Sequence, residues 1–468
     1  MNIYSVSWLE LTVLVPLAGA VAVAVCRTDA TRRRWGIAIT GAALGCSLLA
    51  WIGHETGASP GGSAAWELFT RAFGFRLFAL DGLSAPLLPL VALLHFLTVL
   101  ATTGSNHTRW SVPLLLAGEA VQLAALGVRD PWPLTLFLAL GVLPAYLDLR
   151  VRGMATRVYA IHAGLFVALL AAGAVLLGAG ASPAVGCVPL LLAVFVRSGT
   201  APFHLWVPDL FEKASFAVAL LFVTPIIGVY MAVRLVLPVC PEWILQALGF
   251  VSLLTAILGA GLSIVQTDAR RFFAYQFISH AAMVMVGLQL NTPISLTGAL
   301  CLWFSVALSL AGQGLVLRAL ESRFGRITIT GFRGLYEHSP PLAICFLLTG
   351  LGSVGFPGTL GFIAAELLAG GAVGANPLVG VVMIVAAALN GIAVVRVYFL
   401  LFTGGRHQTS VPLGITGRER FAVLVLAALI LGGGLYPQPG VESRHHAAAV
   451  TLRDRQERLG SPVGAKHE

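Results

Sequence analysis

The stretch VGCVPLLLAVFVRSGTAPFHLWVPD (Val185–Asp209) decides the fold. From Val185 to Val196 it carries no charged or amide side chain, and apolar character resumes after Pro202. Such a run is long enough to cross a hydrocarbon core, which takes about 20 apolar residues. Its centre nevertheless holds Arg197, Gly199 and Pro202. Proline lacks the N–H that a helix needs and disfavours helix in the residue before it. The stretch therefore reads as a membrane helix broken at depth. Backbone groups freed inside a bilayer are tolerated only where protein or water satisfies them. A second stretch, GLGSVGFPGTLGFIAAELL (Gly350–Leu368), has the same character, with Gly355, Pro357 and Gly358 as its breakers.

The rest of the chain agrees. Of 468 residues, 57% are hydrophobic and 10% charged, too few polar side chains to coat a water-facing surface. Soluble globular, disordered, collagen-like and disulfide-scaffold classes are excluded. Barrel strands would alternate over about ten residues, and no such pattern occurs. The fold class is an all-α polytopic membrane protein with about fourteen transmembrane helices. They lie near 8–26, 35–52, 82–103, 110–128, 132–149, 158–180, 185–207, 214–237, 243–265, 272–290, 295–320, 342–372, 377–402 and 419–436. The first run has a signal peptide's length, but Arg32, Arg33 and Arg34 follow it, so it reads as a retained helix. The membrane domain covers 1–436. The polar tail, 437–468, reads as a short amphipathic helix on the surface.

Basic residues fall on alternate loops. Loops after odd-numbered spans hold Arg27, Arg32 to Arg34, Arg109, Arg150, Arg152, Arg157, Lys213, Arg270, Arg271, Arg318, Arg323, Arg326, Arg333, Arg406, Arg418 and Arg420. The others hold little beyond Arg71, Arg76 and Arg129. This bias turns the odd loops to the cytoplasm and both termini outward. It also accounts for the net charge of +9 without a nucleic-acid partner. The six cysteines, Cys26, Cys46, Cys187, Cys240, Cys301 and Cys345, are scattered without a CxxC, so all read as packing residues. No iron–sulfur or zinc site is expected, nor any other cofactor.

The two broken helices are spans seven and twelve, five apart. An odd offset inverts topology, so spans four to eight and nine to thirteen form candidate inverted repeats, about 110–237 and 243–402. Paired interrupted helices point to a transport path; unrelated proline kinks are the alternative. Gly350, Gly352 and Gly355 match GxGxxG, but with no preceding strand the match carries no nucleotide site.

Ionisable groups inside spans are costly and mark function. The candidates for a proton path are Glu119 in span four, His280 in span ten and Glu366 just past the break in span twelve. The plain alternative for each is a neutral, hydrogen-bonded core group. Arg197 keeps its proton, so it suits a fixed charge partner rather than a carrier. His162, His204, Gln122, Gln266 and Gln313 add polar contacts, whereas Arg234 and Arg396 sit near helix ends and can snorkel. Together these residues suggest a polar axis across the bilayer centre.

RSGTAPFHLWVPD (Arg197–Asp209) resembles the antiporter-like subunits of respiratory complex I and the Mrp Na⁺/H⁺ antiporters. LFALDGLSAPLLPL (Leu77–Leu90), GVYMAVRLVLP (Gly228–Pro238), DARRFFAYQFISHAAMVMVGL (Asp268–Leu288) and the Gly350–Leu368 stretch agree. The resemblance covers roughly spans three to thirteen. It implies fourteen helices, inverted five-helix repeats, broken helices seven and twelve, and proton translocation coupled to partner subunits in a bacterial inner membrane. It also implies no catalytic centre of the chain's own. His280 matches the family's span-ten histidine, and Glu366 corresponds approximately to its span-twelve acid or lysine. Other positions depart. The span-five glutamate, aligned on Pro144, is here Ala139; the span-seven lysine is Arg197; the span-eight lysine or histidine is replaced by the apolar run Leu220 to Ile226. Glu119 on the preceding span is a possible substitute for the lost acid. The resemblance leaves several partners open: a quinone reductase, Mrp components, a membrane-bound hydrogenase, or the large zinc-containing soluble protein of the DAB inorganic-carbon system. The short tail disfavours the largest complex I subunit. A structural anchor that has lost conduction is the competing class. A stand-alone enzyme finds no nucleophile–base pair to support it.

Overall fold

The computed structural model describes residues 7–57, 77–102, 111–290, 292–405 and 414–459. Of the loop charges above, Arg71, Arg76, Arg109 and Arg406 lie outside the described residues, as does the end of the tail. The secondary structure is helical. In chain order the helices are α1 (Trp8–Val25), α2 (Asp29–Glu55), α3 (Leu87–Ala101), α4 (Ser111–Gly127), α5 (Pro131–Leu140) and α6 (Leu143–Val151). Next come α7 (Arg157–Gly178), α8 (Pro183–Ser198), α9 (Trp206–Lys213), α10 (Phe216–Val223) and α11 (Ile227–Met231), the last running into a π-helical turn, Ala232–Val236. Then follow α12 (Glu242–Val265), α13 (Ala269–Gln289), α14 (Pro293–Phe324), α15 (Pro340–Ser353), α16 (Leu360–Ala375), α17 (Pro377–Phe402), α18 (Gly417–Leu435) and α19 (Gln438–Arg458). Among the described residues, nine helical stretches are long and apolar enough to cross a membrane, and shorter apolar helices fill positions between them.

The chain forms two compact units. The first is Met1–Thr156 with Ala214–Pro225; the second is Arg157–Lys213 with Ile226–Glu468. In the first, α4 packs against α1, α3, α5, α6 and α10. Asp148 of α6 is fully buried; it accepts from the backbone N–H of Ser215 at 2.8 Å and pairs with Arg152 at 3.2 Å. Ser215 in turn caps α10 through Val218 N. One carboxylate thus secures the start of α10 from a neighbouring helix, satisfying donors that would otherwise be orphaned.

Two spans read as plain are interrupted. The run 132–149 turns at Gly141–Val142 between α5 and α6. Pro144 has no N–H to offer the Leu140 carbonyl, and glycine adds little helix propensity. The run 214–237 breaks after Val223, with Ile226 at φ +50°. Here Pro225 removes the donor for Leu221 O. These breaks join the expected ones. Span seven ends its first half at Gly199 (φ +66°), where Gly199 N and Thr200 N bond back to Val196 O and Phe195 O in a Schellman pattern. Span twelve breaks between α15 and α16, with Gly355 and Gly358 at φ +82° and +85°.

In the second unit α14 packs against α13, α15, α16, α18 and α19. Small residues set the closest approach: a Cβ on Gly298 would lie 2.5 Å from Leu368 N, and one on Gly371 would lie 3.0 Å from Ser295 N. One end of this unit is a charged clamp. Arg270 forks onto Glu321 at 2.6 and 2.7 Å and donates to Phe211 O at 2.9 Å. Arg326 joins Asp268 Oδ2 and Glu212 O, both at 2.9 Å. Basic loops after spans seven, nine and eleven therefore share one face.

The other end corrects the reading of the cysteines. Cys187, near the start of α8, is disulfide-bonded to Cys240, with Cα atoms 5.7 Å apart, and four cysteines remain free. Partners 53 residues apart give no sequence signal. Arg455 of α19 donates to Leu237 O and to Cys240 O, the latter at 2.8 Å. The tail helix is thus docked rather than merely laid on a surface. It bends 80° from α18, sets the Arg444 guanidinium 5.2 Å above the Phe304 ring, and brings His445 Nδ1 within 3.1 Å of Thr297 Oγ1.

Replacing Gly298 by leucine should destabilise the fold by about 1–3 kcal/mol, as overpacking does. Thermal unfolding in detergent would read this as a lowered midpoint; an unchanged midpoint would contradict the close α14–α16 contact. Alkylation of the denatured, unreduced chain should block four of the six cysteines; labelling of all six would refute the pairing.

Candidate functional site

The breaks create local demands that neighbouring side chains meet. In the first unit, Leu221 O, freed by Pro225, accepts from Gln122 Nε2 of α4 at 3.0 Å. In the second, Ala201 N donates to Thr255 Oγ1 at 3.1 Å, and Trp206 Nε1 donates to Val196 O at 2.8 Å. Ser305 of α14 reaches Gly352 O at the end of α15, at 3.4 Å. Each break is thus patched by a polar group on an adjoining helix or half-helix.

What remains unpatched is informative. Glu119 lies one helical turn before Gln122 on α4 and is fully buried. Among the described residues, neither carboxyl oxygen has a hydrogen-bond partner, and Gln122 Oε1 also lacks one. Buried polar atoms are seldom left so without water or function. In the second unit His280 of α13 is 1% exposed, and neither ring nitrogen has a partner among the described residues. Ser309 Oγ and both amide atoms of Gln313, one turn apart on α14, are in the same position. Gln313 faces α15 closely enough that a Cβ on Gly350 would lie 3.3 Å from its Nε2.

The other expected residues fall as follows. Arg197 occupies the last turn of α8, two residues before the Gly199 break, and is buried. His162 is tied to its own helix, Nδ1 to Val158 O at 2.8 Å. His204 lies in the span-seven break with its ring 6.4 Å from that of Tyr275. Arg234 stacks 5.2 Å above Tyr230, and Arg396 reaches Gln266 O at 3.4 Å. Glu366 departs from the expected buried path. It points to the exposed side of α16, and the break before it is exposed at Phe356, Pro357 and Gly358. An apolar helix gives no stripe by which sequence could assign that face.

Three polar residues escaped the sequence reading: Gln276, Ser279 and Asn390. They form a buried network across α12, α13 and α17. Asn390 Nδ2 donates to Ser279 Oγ at 2.8 Å, Ser279 Oγ donates to Ala256 O at 2.7 Å, and Gln276 Nε2 approaches Asn390 O at 3.3 Å. A lone amide in the apolar run Val379–Leu401 was the available signal. Among the described residues, no cluster of three or more His, Cys, Asp or Glu could hold a metal ion.

The chain is similar to antiporter-like membrane subunits. Residues 184–390 match the family described as NADH:quinone oxidoreductase/Mrp antiporter, TM. NADH-quinone oxidoreductase subunit M of Pseudomonas aeruginosa is 27% identical, over 96% of this chain and 98% of its own. Subunit N 2 of Acidobacterium capsulatum is 32% identical over 54% of this chain and 55% of its own. The fold matches a chain of respiratory complex I from Thermus thermophilus (TM-score 0.81, 22% identity, 96% of this chain and 99% of that one). It also matches a chain of the Mrp complex from Dietzia sp. DQ12-45-1b (TM-score 0.79, 21% identity, 98% and 99%).

A carboxyl removed from bulk water without a protein donor costs stability. Glu119→Leu should therefore raise the stability of the chain by about 1–3 kcal/mol. Thermal unfolding would show a higher midpoint; a lower one would mean that Glu119 is satisfied and structural.

Proposed function

We propose that the chain translocates protons as one membrane subunit of an energy-coupling complex of the quinone-reductase or Mrp kind. The observation that carries this reading is the pair of buried, unpartnered titratable groups, Glu119 in the first unit and His280 in the second. A carboxyl and an imidazole both change charge on gaining or losing a proton. Among the described residues neither has a partner that would fix it in one state, which leaves water as the proposed exchange partner. Arg197 serves as a fixed positive charge beside the span-seven break. Glu366, exposed within a spanning helix, fits contact with a neighbouring subunit, since a carboxyl facing lipid is costly. The similar proteins support the subunit role, being named as subunits M and N of NADH-quinone oxidoreductases and as a chain of an Mrp complex.

An orientation is proposed with it. The Arg270–Glu321 clamp collects basic loops at one end of the second unit, and the Cys187–Cys240 disulfide closes the other. Basic loops favour the cytoplasm, and disulfides persist on the oxidising side. We assign the clamp to the cytoplasmic face of a bacterial inner membrane and the termini to the outer face.

The test uses the complex purified with the chain and reconstituted in vesicles. Glu119→Gln and His280→Ala should each lower proton uptake several-fold while the subunits remain assembled. Full proton uptake in both variants would overturn the translocating role and favour an anchor. The subunits that come away with the chain would identify the quinone-reductase, Mrp or inorganic-carbon context.

A further inference from the structure

The segment between α14 and α15 is a strap laid across the end of α17. Ile327 and Ile329 are buried while Thr328 and Thr330 face outward, an alternation of strand type, and Thr328 bridges to Asp268. Further along, the strap caps α17. The last carbonyls of a helix have no partner within it. Here Arg333 N donates to Leu400 O at 2.9 Å, Leu335 N to Leu401 O and Tyr336 N to Phe402 O, both at 3.1 Å, and Gly334 N to Thr403 O at 2.9 Å. Gly334, at φ +62°, lies so close that a Cβ on it would be 2.1 Å from Gly405 O. These bonds fix the depth of the strap. α17 is an apolar span that ends at Phe402, so Phe332 to Tyr336 lie within about one turn of the level where the span meets the headgroups.

The side chains at that level combine charge and aromatic surface. Phe332 is 67% exposed and Tyr336 45%, although neither belongs to a spanning helix. Arg333 Nε donates to Thr328 O at 2.9 Å and Nη2 to Thr328 Oγ1 at 2.6 Å. Arg270, Arg271, Arg323 and Arg326 each pair with a carboxylate. Arg333 has only neutral Thr328 among the described residues. Of the five N–H groups of a guanidinium, both on Nη1 and one on Nη2 are left open, and these two nitrogens can fork onto one anion. The guanidinium is held in place with its charge unneutralised.

We propose that this end of the strap binds the headgroup of an anionic phospholipid. The Nη1–Nη2 edge of Arg333 takes the phosphodiester oxygens, and Phe332 and Tyr336 lie against the glycerol and upper acyl chains. A guanidinium matches a phosphate in charge and shape, and aromatic side chains favour the boundary between hydrocarbon and water. The depth set by α17 selects a lipid over a soluble anion, which would leave both rings uncovered. Thr328 is the positioning residue, because its two oxygens aim the fork. The site does not depend on the translocating role; under the orientation proposed above it belongs to the cytoplasmic leaflet.

The test uses the full chain, stripped of lipid in detergent. It is titrated with phosphatidylglycerol and, separately, with phosphatidylcholine of the same acyl chains, and bound lipids are counted by native mass spectrometry. Phosphatidylglycerol should bind several-fold more tightly, and Arg333→Gln should remove the tightest-bound molecule. Thr328→Val, which keeps the charge but loses one of the two bonds that aim it, should weaken binding several-fold, as should Phe332→Ala. Arg420→Gln, which removes the same charge from an exposed position, should leave binding intact. Unchanged lipid binding in Arg333→Gln would overturn the site, and loss of a neighbouring subunit from that variant would give the face to protein instead. Equal losses from Arg333→Gln and Arg420→Gln would reduce the effect to general charge attraction and overturn it too. Displacement of the lipid by inorganic phosphate would make the occupant a soluble anion.

Discussion

The structure depends on the cost of leaving a polar group unpaired away from water. In hydrocarbon that cost makes the helix the default and makes any departure from it conspicuous. Where Pro225 withdraws a donor from Leu221 O, an amide from α4 replaces it. Where span seven opens at Gly199, Thr255 and the Trp206 indole take up the freed backbone groups. Ser305 does the same for Gly352 in span twelve. The breaks are held open by specific side chains, so they are built features rather than defects.

Against this background the exceptions acquire meaning. A fold that supplies a partner for most freed groups leaves Glu119, His280, Gln313 and Ser309 without one among the described residues. The two units do so differently. The first isolates a single carboxyl one turn from the amide that mends a break. The second leaves its imidazole unpaired among the described residues, on the helix whose Gln276 and Ser279 bond to α17 and α12. Both arrangements suit groups that must exchange protons with water rather than hold a permanent bond. Under the function proposed above, the departures from the resembled pattern at Ala139 and Arg197 are read as a rearranged path, with Glu119 proposed in place of the acid absent from the next span.

Much of this was legible in the sequence, for physical reasons. Gly199, Pro202, Gly355, Pro357 and Gly358 interrupt apolar runs, and the backbone breaks at each site. Glu119 and His280 stood out because ionisable groups are rare in such runs, and both are buried. The break at Pro225 was hidden by the unbroken apolarity around it, although Thr224–Pro225 was the cue. The face of Glu366 was not legible, because a helix apolar all round offers no stripe to separate lipid from core. The disulfide joins residues that only the packed fold brings together. The tail is polar in sequence, but its buried Arg444 and Arg455 follow from partners on distant segments, a ring and two carbonyls.

The central claim is that the orphaned groups are wet. An electron-microscopy map of the assembled complex in lipid, detailed enough to show ordered water, tests it most directly. The account predicts density within hydrogen-bonding distance of the Glu119 carboxyl and the His280 ring. Dry, close-packed apolar surroundings at both residues would contradict it.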